Sequence, residues 1–416
     1  MHLGVDADDR IVFAGTNAGR NTVAGKTFVG SYGGELSPGG GVTLLETLPA
    51  RRVKDVATAS GARGFAILGD MGPLEEKPPP PEISLGGRQL PRGDYVARLN
   101  TASAVTWVQP LEGRAELASI AMDGAGNVFA VGIVPPRETS STVAVLKYDA
   151  RGALKWEKRL SGSIGGSSPS RDDSNDRNIV VHGDNLYLWI RSSEEGHPAS
   201  GDLVKLGADG TEQWRRTIVE MTGGSNAALS APHLAADQEG NLYAATTFNG
   251  TIRLADGTVL EDRTQRFHEF GGTGLLMKAD PNGKLLFARS IATSDKGMFV
   301  DGLTVDGNDR PWVIGGFLDF VYLGTLRMDK PLTAGVPDAW TPAFLAGFDQ
   351  HGRERQLLPL AWGAGRALVA RSKDLLLTLS YRGDLLMKNV VGGRRFENNY
   401  TCVVLRVPTE VGEGCR

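Results

Sequence analysis

Cysteine is nearly absent: 416 residues hold only two, Cys402 and Cys415. That excludes metal frameworks built on several cysteines. No apolar run reaches the ~18 residues that a membrane-crossing helix needs. An excess of positive charge is missing too, since 45 Lys+Arg against 48 Asp+Glu leave a net charge of −3. So balanced a chain argues against nucleic acid as a partner, because phosphate backbones require a basic surface. There is no Gly-x-Ser-x-Gly elbow, no phosphate-binding loop, no dinucleotide fingerprint behind a strand and no His-x-x-x-His pair. Nor is there a capped amphipathic stretch of helical length.

What the chain does have is glycine, 55 residues, nearly twice the usual ~7% share, and a unit that recurs. Leu117-Ala118-Ser119-Ile120-Ala121-Met122-Asp123 runs through a turn into Val128-Phe129-Ala130-Val131-Gly132. Leu3 to Gly15, His233 to Ala245 and Leu303 to Gly315 repeat the arrangement, and Gly64 to Gly69, Asn185 to Ile190 and Asp374 to Tyr381 repeat it more loosely. A second half-unit follows each first. Val143 to Asp149 leads through Gly152 to Trp156, Leu203 to Leu206 through Gly210 to Trp214, Tyr95 to Leu99 to Trp107, and Leu275 to Asp280 through Gly283 to Phe287.

Each unit reads as four short strands, a to d, with Asp, Asn and Gly marking the turns. Equivalent positions Val12, Ala66, Phe129, Tyr187, Tyr243, Trp312 and Leu376 lie 54 to 69 residues apart. Such units point to an all-β, seven-bladed β-propeller with four antiparallel strands per blade. It would be a single domain over 1–416, with blades at 1–52, 53–116, 117–177, 178–231, 232–299, 300–364 and 365–416.

On Asp123 to Gly132, Asp237 to Ala245 and the lysine-bearing strands after them, the unit resembles the bacterial seven-bladed propeller repeats called SBBP repeats. Asp149-x-x-Gly152-x-x-x-Trp156 is also similar to repeats of the pyrroloquinoline-quinone type, whose late tryptophan docks neighbouring blades. The resemblance implies that Trp107, Trp156 and Trp214 dock in this way. It also implies an exported protein, periplasmic, surface or extracellular. A cytoplasmic chain starting at Met1 is the alternative. The quinone cofactor is not carried over, because adjacent cysteines are absent and seven repeats are counted where such dehydrogenases have eight.

The a–b and c–d turns are short, whereas the b–c and d–a connections carry insertions at 71–93, 160–178, 247–272, 316–342 and 382–398. Long connections on a rigid scaffold are the usual seat of binding. Within them, Lys77 and the prolines 78–81 read as a stiff polyproline spacer. Asp172, Asp173 and Asp176 are candidate oxygen ligands for Ca²⁺, opposed by flanking Arg171 and Arg177; otherwise no cofactor is expected.

Asp6, Asp123, Asp237 and Asp306 share a register and read as turn caps rather than as a metal ring. His2 and His233 share another, at the start of strand a, with Ser119 and Gly302 opposite them in the alignment. His233, Asp301 and Arg366 are the candidate catalytic groups there. The favoured reading is a monomeric, secreted or cell-surface binding scaffold presenting long loops to a protein or glycan. The alternative is a hydrolase or lyase with a metal or acid–base group at a channel mouth. A turn at Pro408-Thr409 would make Cys402 and Cys415 cross-strand partners, placed for a disulfide.

Overall fold

A computed structural model of the chain describes residues 2–23, 26–37, 42–48, 52–70, 83–85, 88–90, 93–102, 104–111, 114–134, 142–164, 177–193, 197–223, 227–262, 264, 271–331, 341–371, 373–385 and 401–409. These fall into two compact units. The first is Met1–Ile164 with Val181–Leu186 and Leu206–Thr211; the second is Gly165–Val180, Tyr187–Lys205 and Glu212–Arg416.

The fold is an all-β propeller with four antiparallel strands per blade. Sheet 1 is β1 (His2–Val5), β2 (Ile11–Val23), β3 (Lys26–Leu36) and β4 (Val42–Thr47). Sheet 2 starts with β5 (Arg52–Ala57) and β6 (Phe65–Asp70). A small hairpin, β7 (Ile83–Leu85) and β8 (Arg88–Leu90), follows before β9 (Asp94–Leu99) and β10 (Val105–Pro110) complete the sheet. Sheet 3 is β11 (Glu116–Met122), β12 (Val128–Ile133), β13 (Thr142–Tyr148) and β14 (Leu154–Ser161).

Sheet 4 is β15 (Ile179–His182), β16 (Asn185–Ser192), β17 (Ser200–Leu206) and β18 (Glu212–Met221). Sheet 5 has β19 (Ala228–Leu229) and β20 (His233–Ala236) beside β21 (Leu242–Asn249). After the hairpin β22 (Thr251–Leu254) and β23 (Val259–Glu261), it continues with β24 (Thr273–Ala279) and β25 (Leu285–Thr293). Sheet 6 has β26 (Met298–Val305) and β27 (Pro311–Phe317), then the hairpin β28 (Phe320–Leu323) and β29 (Leu326–Asp329). It closes with β30 (Pro342–Phe348) and β31 (Glu354–Ala370), and β32 (Asp374–Leu385) and β33 (Thr401–Pro408) extend it.

There are six blades, not the expected seven. The reason lies in β31. Strand d of the sixth repeat and strand a of the seventh were expected to break near residue 364, but no turn forms there. The chain runs on as one 17-residue strand. Its first half pairs with β30 and its second half with β32, so the last repeat joins sheet 6.

Strands b and c are buried on both faces. Every residue of β12, β24, β27 and β30 is enclosed, which accounts for their near-continuous apolar runs. The aspartate register behaves as expected of turn caps. Asp123 Oδ1 accepts the amides of Ala125 and Asn127 at 3.0 and 2.8 Å, and Asp237 Oδ1 those of Glu239 and Asn241 at 3.1 and 2.8 Å. Asp149, Asp280 and Asp349 do the same in the c–d turns.

In four blades the aromatic residue near the start of strand d rests on the glycine of another c–d turn. A Cβ on Gly152 would meet Trp107 at 2.7 Å, on Gly210 Trp156 at 2.9 Å, on Gly283 Trp214 at 2.9 Å and on Gly352 Phe287 at 2.6 Å. All four glycines have φ between 76° and 84°, so the site demands glycine twice over, for backbone and for space. Trp107 Nε1 donates to Ala150 O at 3.1 Å and Trp156 Nε1 to Ala208 O at 2.9 Å. Trp214 Nε1 is buried without a hydrogen-bond partner among the described residues. Trp156 and Trp214 are half-buried rather than fully enclosed.

Candidate functional site

Strand pairing fixes the inner register. His2 lies opposite Ala14, Asp55 opposite Leu68, Ser119 opposite Val131, His233 opposite Ala245, Gly302 opposite Ile314 and Ala367 opposite Thr378. Asn178 joins them, since its carbonyl accepts the Trp189 amide at 3.0 Å. Five of these positions are polar and buried: His2, Asp55, Ser119, Asn178 and His233. Each is followed by a buried apolar residue, Leu3, Val56, Ile120, Ile179 or Leu234, on the opposite face of the strand.

In β5, β11, β26 and β31 the register slips one residue before this position. The extra residues are Lys54, Ala118, Asp301 and Arg366. Two sequence candidates, Asp301 and Arg366, are therefore bulge residues, a placement that re-aims a side chain. Asp301 is half-buried; the Arg366 side chain lies outside the described residues. His233 is at the register itself and is 4% exposed.

In the first unit the register is tied side chain to side chain. Asp55 Oδ2 accepts the Ser119 hydroxyl at 2.9 Å and the Ile120 amide at 2.9 Å, and Oδ1 accepts the Val56 amide at 2.8 Å. His2 Nδ1 stands 3.8 Å from Asp55 Oδ1. The Ser119 hydroxyl thus donates to a carboxylate and not to an imidazole, so this trio is not arranged to activate a serine nucleophile. Beside it, Asp94 accepts Lys54 Nζ at 2.6 Å and the Leu117 amide at 2.6 Å. Burial pushes the Asp94 carboxyl above its ordinary pKa even against the Lys54 charge.

The second unit differs. The Leu234 amide donates to Arg177 O at 2.7 Å, which brings the start of β20 alongside Asn178. Asn178 is 1% exposed, yet among the described residues neither its Nδ2 nor its Oδ1 has a hydrogen-bond partner. At the start of strand c, Asp202 collects the hydroxyls of Ser192, Ser200 and Thr217 at 2.7, 3.0 and 3.0 Å.

The insertions are structured. Hairpin β22–β23, in the b–c connection of sheet 5, pairs with β18 through Val219, Glu220 and Met221. Hairpin β28–β29, in the b–c connection of sheet 6, pairs with β25 through Ala292 and Thr293. On β28–β29 the Phe320 and Tyr322 rings meet at 5.1 Å, and Arg327 lies 4.8 and 5.2 Å from their centres. Arg327 also donates to the Tyr322 hydroxyl at 2.7 Å and to Asp329 at 2.6 Å.

Asp172, Asp173 and Asp176 lie outside the described residues, as do the polyproline stretch and Cys415. Among the described residues no three His, Cys, Asp or Glu side chains gather to hold a metal, and no disulfide is found. No helix of the described residues is long and apolar enough to cross a membrane. Sequence reading missed Asp55 and Asn178. Their signal was present, since Asp55-Val56 and Asn178-Ile179 repeat the polar–apolar step of His2-Leu3 and His233-Leu234, but in two of the three looser repeats.

No protein-family model matches the chain, and no curated protein matches it. Solved structures do. Hydrazine synthase of Kuenenia stuttgartiensis aligns with a TM-score of 0.50 and 10% identity, covering 90% of this chain and 91% of that one. A gluconolactonase of Xanthomonas campestris aligns at 0.36 and 13% identity over 86% of each chain. A polysaccharide lyase, an ulvan lyase, aligns at 0.40 and 9% identity over 77% and 75%. At these identities the likeness is one of fold, the β-propeller.

Proposed function

We propose that the protein is a binding module, and that its ligand-facing end is the one where the b–c connections of the second unit leave their sheets. One observation carries this reading. The two long b–c insertions there are hairpins hydrogen-bonded to an outer strand, β22–β23 on β18 and β28–β29 on β25. Insertions that the fold merely tolerated would need no such pairing, whereas display of a surface requires it. The partner is a protein or a glycan, and the half-buried Phe320 and Tyr322 beside the exposed Arg327 suit either. Kinship with SBBP or pyrroloquinoline-quinone-type repeats is supported by the tryptophan-on-glycine docking, and with it export of a monomeric chain.

The test replaces Phe320, Tyr322 and Arg327 by Ser, leaving the buried Val321 and Leu323 in place. Labelled wild-type chain is applied to an oligosaccharide array and to intact cells of the source organism. The expected result is binding by the wild type, at least ten-fold weaker binding by the variant and a melting temperature within a few degrees. Equal binding by both chains would sink the assignment of this end.

A further inference from the structure

We infer that the outer strands of the second unit carry two equivalent anion-binding seats for an acidic polysaccharide, one where β18 meets the c–d turn of sheet 5 and one where β25 meets the c–d turn of sheet 6. At the first, Trp214 and Arg216 both lie on Gly283, where a Cβ would meet them at 2.9 and 2.7 Å, and Lys284 is the next residue. At the second, Phe287 lies on Gly352, Arg289 Nε donates to Gly352 O at 3.2 Å, and Arg353 is the next residue. Each seat thus gathers a half-buried ring and two exposed cations contributed by two sheets. These seats are at the c–d turns, apart from the b–c connections, and do not depend on the reading given to that end.

Docking itself does not require the charge. In the first unit the corresponding positions are Gln109 and Ala153 around Gly152, and Lys158 and Thr211 around Gly210. Gln109 Nε2 donates to Gly152 O at 2.8 Å, the same bond that Arg289 makes to Gly352 O, with a neutral side chain. Among the described residues Arg216, Lys284, Arg289 and Arg353 form no ion pair. Arg215 and Arg253 of the same unit do, each at 3.5 Å, with Glu212 and Glu220. The acids of the two turns, Asp280 and Asp349, give Oδ1 to the amides of Asn282 and Lys284 and of His351 and Arg353. Asp349 also draws on the Arg353 charge at longer range. Like charges brought side by side repel, so a doubled cation that docking does not need, repeated at two exposed seats, fits an anion supplied from outside.

The chemistry of the seats selects the partner. A guanidinium takes a carboxylate or sulfate through parallel N–H groups. Arg289 spends one Nε and one Nη1 hydrogen on Gly352 O and Ala288 O, and Arg216 one Nη1 hydrogen on Arg215 O, so each keeps at least three of its five N–H groups. The ring beside them offers an apolar face for a sugar ring, and two seats on successive sheets suit a polymer whose anionic groups repeat. A planar anionic membrane suits them less, because the exposed Glu212, Glu261 and Glu354 stand on the same outer strands and hairpins. A net charge of −3 disfavours nucleic acid.

The experiment titrates the full chain by calorimetry with polygalacturonate, alginate and dextran sulfate, and with neutral dextran, phosphatidylglycerol vesicles and duplex DNA. Wild type is expected to bind at least one acidic polysaccharide, more weakly as salt is raised, and to ignore dextran. Arg216→Gln with Lys284→Gln, and Arg289→Gln with Arg353→Gln, are each expected to weaken that binding about ten-fold, with melting temperatures within a few degrees. Arg63→Gln with Lys155→Gln removes two exposed charges elsewhere and is expected to change it by less than about two-fold. The variant carrying Ser at Phe320, Tyr322 and Arg327 is expected to bind acidic polysaccharide as the wild type does. The inference fails if no acidic polysaccharide binds, if vesicles or DNA bind more tightly than every polysaccharide, or if the Arg63 and Lys155 variant loses as much as the seat variants. It fails also if the serine variant loses this binding, since the site would then be the hairpin.

Discussion

At the a–b and c–d turns the same few atoms recur from blade to blade, whereas at the opposite end of the same strands the described residues vary among blades. The turn end is held by aspartates that cap their own loops, by glycines at φ near 80° and by aromatic rings seated on those glycines. The connection end carries hairpins in some blades, bulges in others and an inner register that changes from Asp55 to Ser119 to Asn178 to His233. The difference is physical. A tight turn has one economical solution to its unpaired amides, and it is reused. A long connection has many solutions, so its residues are free to follow a ligand.

The largest expected effect is at the turn end. Asp237 caps its turn and also takes Lys278 Nζ at 3.1 Å and Asn241 Nδ2 at 2.8 Å. Lys278 is 8% exposed, so Asp237→Ala leaves a buried ammonium without its counter-charge and should cost about 3–5 kcal/mol. Urea denaturation reads this. A loss below ~1 kcal/mol would mean that the turn end is not the rigid partner in this comparison. Trp156→Ala comes next, at about 2 kcal/mol, less than the ~3–5 kcal/mol of an enclosed aromatic because the ring is half-buried.

A finer contrast separates two tryptophans in equivalent seats. Trp156→Phe removes the bond to Ala208 O and should cost about 1 kcal/mol. Trp214→Phe removes a buried N–H that has no acceptor among the described residues and should cost close to nothing. Equal losses would show that the indole N–H is irrelevant at both seats.

Much of the turn end was legible in the sequence. The Asp123, Asp237 and Asp306 register, the Gly152-to-Trp156 spacing and the four strands per unit follow from turn chemistry and alternation, which are local. The blade count was not legible in the same way. Whether Leu358 to Arg366 breaks or continues depends on β30 and β32 both finding partners along it, and that is a tertiary matter. Asn178 stayed hidden because its lack of hydrogen-bond partners among the described residues is a tertiary matter too, which no spacing encodes. The bulges before Asp55, Ser119, Gly302 and Ala367 were hidden likewise, so Asp301 and Arg366 stood out as candidates without their geometric reason.

The smallest expected effect sets the two ends against each other by pH. At the turn end, Asp149 is held below its ordinary value of 3.8 by the amides of Ala153 and Arg151. Its contribution is present above that value and is lost as pH falls through the lower, folded value. At the connection end, Asp94 is held above 3.8 by burial, with Lys54 and the Leu117 amide opposing. The folded chain therefore takes up this proton more readily than the unfolded chain. The contribution of Asp94 is complete below 3.8 and is lost as pH rises through the higher, folded value. The windows lie on opposite sides of the ordinary aspartate pKa, and the slopes have opposite signs. Asp94→Asn, which keeps the shape of the protonated acid, should gain on the wild type as pH climbs from about 4 toward 7. Asp149→Asn should show no such gain there and should close on the wild type only in stronger acid. Denaturation at a series of pH values compares the two variants, and parallel curves for both would show that burial and amide capping do not divide the molecule in this way.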